Sequence, residues 1–527
     1  MKVIRISAII LMSLGCLGFL CKQQKPGTKE ARGLWVSRME WAIPVPGDRM
    51  AAQQQKIIEI FNTAQRAGCN FILFQIRGNG DAFYRSKFEP WSDMLTGILG
   101  QSPGWDPLAF AIQQAHQRGL ELHVWFNTFS AWRGTTPPPR TAPLHVYLAH
   151  PEWIVCDANG VPMSLNSGYI YVSPGIPAVR EYVYQVAMDI VEKYDIDGFH
   201  FDYIRYPEGA NTKGYSHDAI SLQQFSSLSS NPNQLNWDDW QRENINQFLR
   251  QFYFDATRRK PWLKISAAVI GKYDYSEWNG YHVVYQDAKQ WLAEGIVDFI
   301  VPMVYWQTNH PTAPYRNTVQ HWFNMIHDRY IFPGMMINRI GEPDWPVSEI
   351  IDQIAINRHG TNGMVFFSYQ GLAKVAGNLE FRGFDFLANL PPMPWKDDKP
   401  AMDPRNLRAH LLSSGNVLLI WNQPDSSIEP TDVQRYNVFR SELSPVDFFN
   451  AENLIHITAH ADTFFIDRTV QPGHRYHYVV TALDRVNNES PPSNQVTIFI
   501  PRLAMTDSNQ SIIARSETIF FSITGSL

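Results

Sequence analysis

Short apolar runs alternate with amphipathic segments from residue 33 to about residue 390. Eight runs have the length and composition of buried strands, at residues 33–37, 70–76, 120–126, 196–203, 263–270, 297–305, 330–337 and 363–368. Between them apolar residues recur at helical spacing, at about residues 50–67, 106–118, 178–194, 238–259, 283–294, 314–328 and 347–358, with a last segment near 377–388. The pattern therefore predicts eight strands, each followed by a helix.

Eight strand–helix repeats predict an α/β domain over residues 30–390 whose parallel strands close into a (β/α)8 barrel, the TIM barrel. An open, doubly wound sheet is the alternative. It is disfavoured because no glycine-rich phosphate loop follows the first strand.

Two connections are much longer than the others, at about residues 127–177 and 204–237. They follow the third and fourth strands, and in a barrel the loops after the strands build the active-site face. The first contains a proline-rich, aromatic stretch, GTTPPPRTAPLHVYLAHPEW, which is too long for a plain connector. We expect it to wall a cleft.

After residues 389–404 the pattern changes to strands without helices. Trp421 lies on an early strand, and a late strand alternates with period two at Tyr476, Tyr478, Val480 and Ala482. This arrangement resembles a fibronectin type III module, so residues 402–502 are predicted to form a small all-β sandwich used for spacing or docking. Residues 503–527 stay unassigned.

The N-terminus predicts export. Lys2 and Arg5 precede an apolar run that ends at Leu20, which makes residues 1–21 a candidate signal peptide. The stretch SLGC ending at Cys16 resembles a lipoprotein processing site. We therefore expect a bacterial cell-envelope protein, in the periplasm or on the outer membrane, whose only membrane contact is an N-terminal lipid anchor.

Composition narrows the class of partner. The net charge is −5 and there is no long basic run, which disfavours nucleic acid. Aromatic residues make up 13% of the chain and suit either a large core or the stacking of sugar rings. No histidine or cysteine spacing suggests a metal, and no G-x-S-x-G motif suggests a serine hydrolase. We predict no cofactor, and we expect a monomer.

The fourth strand, DGFHFDY, separates its residues by face. Alternation places Gly198, His200 and Asp202 together, opposite Phe199, Phe201 and Tyr203. The phenylalanines suit the helix-facing side of a barrel wall, which leaves Asp202 inside, near the C-terminal mouth. A buried carboxylate without a partner is costly. Asp202 must therefore be paired, for instance with Arg205 or Arg77, or be open to a substrate.

Other strand ends bring further polar and aromatic residues to the same mouth. On the third strand the inward set is Glu121, His123, Trp125 and Asn127. The remaining candidates are Gln75 and Arg77 on the second strand, Asp81 in the loop above it, Tyr305 and Trp306 after the sixth, and Asn338, Arg339, Glu342 and Asp344 after the seventh. Carboxylates among stacking aromatics are what glycosidic cleavage needs, since one group protonates the leaving oxygen and another attacks or activates water.

Five motifs carry a resemblance to a known family: RGLWVS, FQIRGNGDAFYRSKFEPWSDMLTG, HVWFN, GFHFDYIRYP and PMVYW. Together they are similar to the glycosyl-hydrolase-like 10 family of bacterial envelope proteins, over about residues 30–390. The resemblance implies a glycoside hydrolase, and a characterised relative cleaves peptidoglycan strands that lack stem peptides. The resemblance also implies that Asp202 is the leading catalytic residue. Its pocket neighbours would be Arg77, Asp81, Asn127, Tyr203, Arg205 and Tyr305.

The leading hypothesis is an exported glycoside hydrolase that acts on amino-sugar-containing envelope glycans, above all peptidoglycan, through paired carboxylates. Asp202 would be the nucleophile or base. Its acid partner would be Asp81, ahead of Glu277 and then Glu342. The substrate-binding residues would be Arg77, His123, Trp125, Asn127, His200, Tyr203, Arg205, Tyr305, Trp306 and Asn338, with His200 and Arg205 also positioning Asp202.

Two alternatives stay open. One is a glycan-binding lipoprotein without turnover, in which Trp125 and Trp306 stack on sugars and Asp202 accepts hydrogen bonds from hydroxyls. The other is a hydrolase of a neutral dietary or host polysaccharide.

Overall fold

The structure is a computed structural model that describes residues 27–42, 49–325, 328–376, 384–424, 433–459 and 462–502. The predicted signal peptide with Cys16, and the unassigned residues 503–527, lie outside these ranges. Within them, none of the helices is both long and apolar enough to cross a membrane. Cys69 and Cys156 are free and buried.

The predicted (β/α)8 barrel is confirmed. Its parallel strands are β1 (Ala31–Val36), β2 (Phe71–Arg77), β3 (Glu121–Asn127), β4 (Gly198–Asp202), β5 (Lys264–Ile270), β6 (Phe299–Val304), β7 in two parts (Tyr330–Ile331 and Gly334–Met336) and β8 (Gly363–Phe367). The sheet closes because β8 pairs with β1, Ala31 opposite Gly363, and because β7 pairs with both β6 and β8. A continuous ring of pairings excludes the open sheet.

Eight main helices follow the strands. They are α1 (Arg49–Arg66), α2 (Pro107–His116), α3 (Pro177–Lys193), α4 (Trp237–Arg259), α5 (Ala288–Glu294), α6 (Tyr315–Phe323), α7 (Val347–Gly360) and α8 (Tyr369–Val375). Shorter helices are Arg38–Trp41, Asp93–Thr96, Val146–Ala149, Ala210–Lys213, Ala219–Ser226 and Gly280–Val283, with 3-10 turns at Pro151–Trp153 and Ala451–Asn453.

Two helix predictions need correction. The segment at 283–294 is split, because the Asp287 side chain accepts a hydrogen bond from the Gln290 N–H and starts a new helix there. The last helix lies directly after β8 rather than near 377–388: residues 384–388 are not helical, and residues 377–383 lie outside the described ranges. The sequence pattern did not predict this helix because it contains Gly371, and glycine is unfavourable inside helices. Glycine is required at this position, since a side chain there would collide with the Ile337 carbonyl group.

The barrel wall has an apolar layer on each side, of which the alternation predicted the outer one. Outside, Phe199 and Phe201 pack on Phe252 of α4 at ring distances of 4.8 and 4.9 Å. Inside, a separate cluster fills the lower barrel, with Trp35, Phe71, Leu73, Trp125, Phe299 and Val301 among its members. Each fully buried large side chain contributes about 1.5–3 kcal/mol, so the two layers hold the inward polar residues in fixed positions.

The C-terminal module is a β-sandwich, as predicted. Its strands are β9 (Arg405–Leu411), β10 (Val417–Asn422), β11 (Arg435–Ser441), β12 (Leu454–Ile457), β13 (Phe464–Asp467), β14 (Arg475–Leu483) and β15 (Val496–Phe499). They form sheets ordered β9-β10-β13 and β12-β11-β14-β15. Trp421 and the alternating residues of β14, Tyr476, Tyr478, Val480 and Ala482, share one core.

The sandwich docks on the N-terminal end of the barrel through buried charges. Glu121, at the start of β3, lies 3.0 Å from Lys264 of the barrel and 3.2 Å from Arg435 of β11. Asn487 donates to the same carboxylate at 3.1 Å. Burial opposes ionisation of Glu121, but Lys264 and its other partners outweigh it and hold its pKa well below the usual range. The module therefore sits at the end opposite the predicted active site.

We expect Arg435→Met to destabilise the protein by about 3–5 kcal/mol, because it removes one partner from a buried charge network. Chemical denaturation followed by circular dichroism measures the loss. The matched control is Arg408→Met, which changes an exposed arginine of the same sandwich. Equal stability of the two variants would contradict a structural role for this contact.

Candidate active site

A cavity of about 270 Å³ opens at the C-terminal mouth of the barrel. Its polar lining is Ser37, Arg38, Gln75, Asn127, Arg133, Tyr169, Asp202, Tyr203, Arg205 and Tyr305. Its apolar lining is Trp35, Met39, Trp125, Met303 and Phe367. A larger cavity, of about 700 Å³, opens beside the starts of β7 and β8, at the other end of the barrel. Barrel enzymes work at the C-terminal end, so the smaller cavity is the candidate active site.

Asp202 is the last residue of β4 and is 7% exposed. Its Oδ2 accepts a hydrogen bond from Trp125 Nε1 at 3.1 Å, and its Oδ1 accepts one from the Tyr203 N–H at 2.7 Å. Burial raises the pKa of this carboxyl group, against the opposing effects of the Arg205 charge and the two N–H donors. Asp202 therefore keeps its proton to a higher pH than an ordinary aspartic acid, which suits a general acid.

Tyr203 departs from the strand alternation. The alternation placed it on the helix-facing side, but β4 ends at Asp202 and the Tyr203 backbone has φ of +50°. This left-handed conformation costs about 1–2 kcal/mol for a residue with a side chain. It turns the phenol into the cavity, where its ring lies 5.0 Å from that of Tyr169 and 4.9 Å from the Arg205 guanidinium.

His200 lies one layer below the cavity and does not line it. An indole N–H can only donate, so His200 Nε2 accepts from Trp35 Nε1 at 3.2 Å. Nδ1 then carries the proton and donates to Ser266 Oγ at 2.8 Å. Burial, with His123 nearby, holds the pKa of His200 well below its usual range. Neutral His200 thus anchors Trp35, which lines the cavity.

His123 lies deeper still and cannot reach a substrate in the cavity. Inward residues of a strand succeed each other by about 6.6 Å, and His123 is two such layers below Asn127. It is fully buried, with its Nε2 3.1 Å from Glu121 and its ring 5.1 Å from Phe71. Gly198 faces it on β4, where any side chain would collide with the imidazole. His123 is therefore a core residue.

A β-bulge removes Arg77 from the inward face. Gln75 pairs with Trp125 but Arg77 pairs with Phe126, so the alternation slips by one residue between them. Gln75 lines the cavity, whereas the Arg77 guanidinium lies 4.7 Å from the Phe126 ring and 2.6 Å from Glu89. Arg77 thus pairs with Glu89 and not with Asp202.

The predicted partner carboxylates do not line this cavity. Asp81 is buried in the loop after β2 and accepts a hydrogen bond from the Asn79 N–H at 2.7 Å. Glu277 is exposed, and Glu342 pairs on the surface with Arg339 at 2.7 Å. Among the described residues that line the cavity, Asp202 is the only carboxylate.

Two predicted sugar-binding residues also lie outside the lining. Lys272 stacks at 5.2 Å on the Trp306 ring, and the Asn338 N–H donates to the Phe367 carbonyl at 3.3 Å. The predicted residues that do line the cavity are Gln75, Trp125, Asn127, Asp202, Tyr203, Arg205 and Tyr305.

The sequence predicted Arg205 but neither the contribution of β1 nor the two other arginines of the lining, Arg38 and Arg133. Trp35 and Ser37 share a face in GLWVS, a signal that pointed inward, and the insertion after β3 supplies Arg133 and Tyr169. Among the described residues, the cavity lining contains three guanidinium groups, of Arg38, Arg133 and Arg205, and one carboxylate. Within the described ranges no ion pair shorter than 4 Å joins any of the three to an acidic side chain, and no cluster of metal-ligating residues occurs.

The sequence profile of the family described as glycosyl hydrolase-like 10 matches residues 30–348, more than half of the chain. The chain belongs to this family. A second profile, the fibronectin type III domain SaeA third domain, matches residues 412–500. Both family resemblances predicted from the motifs are therefore confirmed.

Two curated relatives carry glycosyl hydrolase names. Glycosyl hydrolase YngK of Bacillus subtilis (strain 168) is 29% identical over 504 residues, which cover 89% of this chain and 93% of the relative. Glycosyl hydrolase DigH of Escherichia coli (strain K12) is 28% identical over 365 residues, 62% of this chain and 79% of the relative. Among solved structures, alpha-L-fucosidase isoenzyme 2 from Paenibacillus thiaminolyticus is 13% identical with a TM-score of 0.43, covering 67% of this chain and 49% of that one. That likeness is too low to support an argument.

The raised pKa of Asp202 predicts a pH-dependent stability difference between the protein and its Asp202→Asn variant. A carboxyl group whose pKa is raised on folding stabilises the fold fully below its unfolded pKa of about 3.9, and this contribution is lost as the pH rises through the folded-state pKa. We therefore expect the free energy of unfolding of Asp202→Asn to rise relative to that of the wild type as the pH rises from about 4 to 8, by up to about 1.4 kcal/mol for each pH unit between the two pKa values. The melting temperature of the variant should rise relative to the wild type over the same range.

Thermal melts at a series of pH values measure this trend. Asp352→Asn is the control, since it removes an exposed carboxylate on α7. A difference that is flat with pH, or that grows in the opposite direction, would contradict the buried acid.

Proposed function

We propose that the protein is a glycoside hydrolase that cleaves glycosidic bonds in amino-sugar-containing envelope glycans, with peptidoglycan strands as the main substrate. The observation that carries the proposal is Asp202, a buried carboxyl group with a raised pKa at the mouth of a barrel. Membership of the glycosyl hydrolase-like 10 family supports the same reaction class.

Asp202 is suited to donating a proton to the leaving oxygen. Its two oxygens each accept one N–H hydrogen bond, which fixes the plane of the carboxyl group while leaving lone pairs toward the cavity. Arg205 makes no ion pair with Asp202 within 4 Å among the described residues, and although its charge lowers the pKa of Asp202, burial outweighs it. A carboxyl group whose pKa is raised by burial is the kind of acid that a glycosidase uses to protonate the leaving oxygen.

The excess of cations favours an anionic glycan. Arg38, Arg133 and Arg205 bring three positive charges to a cavity with one carboxylate. Peptidoglycan strands without stem peptides carry a free carboxylate on each muramic acid, whereas chitin and neutral glucans carry none. Guanidinium groups bind carboxylates in a bidentate fork, so this cavity is better matched to the anionic strand.

Aromatic rings offer surfaces for the sugar faces. Tyr169 and Tyr203 form a tilted pair at 5.0 Å on one wall, and Trp125 lies beside Asp202 on the floor. We include export and a lipid anchor at Cys16 in the proposal on the basis of the N-terminal sequence, because an envelope location brings the barrel to this substrate.

A second candidate function is glycan binding without turnover. It is favoured because the described residues contribute a single carboxylate to the cavity lining, whereas paired-carboxylate hydrolysis needs a second acidic group near the first. The paired mechanism predicted from the sequence, with Asp202 as nucleophile or base and Asp81 as the acid, stays a prediction.

We expect peptide-free peptidoglycan strands to release new reducing ends with the wild type. Asp202→Asn should lower the rate by about 10²–10⁴-fold, the usual contribution of a general acid. Mass spectrometry of the products, with chitin oligomers and neutral glucans run in parallel, measures both rate and substrate class. Asp352→Asn serves as the control. Strand binding without any reducing ends would establish the binding function instead.

The cavity arginines should determine how strongly the protein prefers anionic strands over neutral ones. We expect Arg133→Gln to raise KM for peptide-free strands by about tenfold or more, since a hydrogen bond to a charged group is worth about 1.5–3 kcal/mol. KM for chitin oligomers should change little. Arg133 is exposed, so folding is not at issue, and Arg408→Gln is the control. Equal changes on both substrates would argue against recognition of a carboxylate.

A further inference from the structure

The described part of the chain places one carboxylate, that of Asp202, on the wall of the candidate active site. Paired-carboxylate glycosidases keep the second group about 5–9.5 Å from the first. The other nine polar lining residues have arginine, amide, serine and tyrosine side chains, none of which is a carboxylate nucleophile or base. The cavity thus provides an acid without a partner of the same kind.

Three buried carboxylates near the mouth are already engaged. Glu89 is fully buried and pairs with Arg77 at 2.6 Å. Glu40 accepts three hydrogen bonds of 2.7–2.9 Å from groups at the ends of β1 and β8. Asp81 is held by the Asn79 N–H. Moving any of them into the cavity would leave buried donors or a buried cation unpaired, at a cost of several kcal/mol for the charge pair.

We propose that the 2-acetamido group of the substrate itself supplies the nucleophile, so that the protein hydrolyses its strands by neighbouring-group participation with Asp202 as the only carboxylate required. This inference rests on the proposed function, and it makes an N-acetylated sugar at the cleavage point obligatory rather than merely preferred. Some glycosidases are known to work by such assistance from the substrate.

The shape and chemistry of the cavity fit an acetamido group. Trp35, Met303 and Phe367 form an apolar patch, in which the Trp35 and Phe367 rings lie 5.9 Å apart. The Tyr305 ring lies 5.3 Å from Phe367, and no hydrogen bond from a described residue occupies its hydroxyl group. The patch suits the acetamido methyl group, and the phenol suits its carbonyl oxygen. Burial raises the pKa of Tyr305 well above its usual range, so it remains a donor.

The two steps balance with these groups alone. In the first, the carboxylic acid of Asp202 gives its proton to the glycosidic oxygen, the bond from C1 to that oxygen breaks, and the acetamido oxygen bonds to C1. The product is a cationic bicyclic oxazolinium ion beside the Asp202 carboxylate. In the second, water attacks C1, the bond from C1 to the acetamido oxygen breaks, and the water proton returns to Asp202. One water is consumed and the configuration at C1 is retained.

The experiment compares peptide-free peptidoglycan strands with the same strands after replacement of N-acetyl by N-trifluoroacetyl groups. Fluorine withdraws electrons from the amide oxygen, so we expect kcat to fall by about a hundredfold or more if this oxygen attacks C1. Proton NMR of the first product should show retained configuration. A thiazoline analogue of N-acetylglucosamine, which mimics the bicyclic ion, should inhibit competitively.

The outcomes separate the inference from the proposed function. Equal rates on the two strands, or product of inverted configuration, would overturn the inference and leave the hydrolase function standing. No cleavage of either strand would overturn both.

Tyr305→Phe tests the acetamido site without removing the acid. It keeps the ring that packs on Phe367 and deletes one hydroxyl group, so the fold is preserved. We expect kcat on acetylated strands to fall by about 10–100-fold with a smaller change in KM, together with weaker thiazoline inhibition. Asp352→Asn, which changes an exposed carboxylate on α7, is the control and should leave kcat unchanged. A large loss with Asp81→Asn and none with Tyr305→Phe would overturn the inference in favour of paired carboxylates.

Discussion

The buried carboxyl group of Asp202 is the constraint on which the mouth of the barrel depends. Its burial is tolerated because two N–H groups meet its oxygens, one from Trp125 on the neighbouring strand and one from Tyr203. The Tyr203 donor belongs to a residue in the left-handed backbone region. A strained backbone at Tyr203 and a buried carboxyl group with a raised pKa at Asp202 therefore occur at adjacent residues. Unfavourable features of this kind cluster at functional sites.

The closed barrel determines which side chains surround that group. Pairing of β3 with β4 sets Asn127 opposite Asp202 and Trp125 opposite His200, so the indole of Trp125 reaches one layer up to the carboxylate. Alternation along apolar strands was enough to predict this much from the sequence, since it depends only on period two and on the barrel. The inward placement of Asp202 and the outward placement of Phe199 and Phe201 were both predictable in this way.

The remaining features of the site depend on positions where the inward–outward alternation of a strand is interrupted. The bulge after Gln75 turns Arg77 outward, and the positive φ of Tyr203 turns a helix-facing residue into the cavity. Arginine and tyrosine have no local preference for a bulge or for a positive φ, so neither interruption of the alternation can be read from the residue type. The backbone conformation at both positions follows from tertiary pairing. Arg133 comes from an irregular insertion, whose path no periodicity describes. The sequence indicated that the insertion would wall a cleft, but it did not indicate which side chains would do so.

The two ends of the barrel differ in how their charged side chains are paired. At the N-terminal end, Glu121 is surrounded by Lys264 and Arg435, so the buried charges of the domain contact are matched. At the mouth, three guanidinium groups face one carboxylate and make no ion pair within the described residues. A fold that pairs its charges carefully at one end has no structural need for unpaired cations at the other. The anionic glycan that we propose as substrate would account for this excess of positive charge at the mouth.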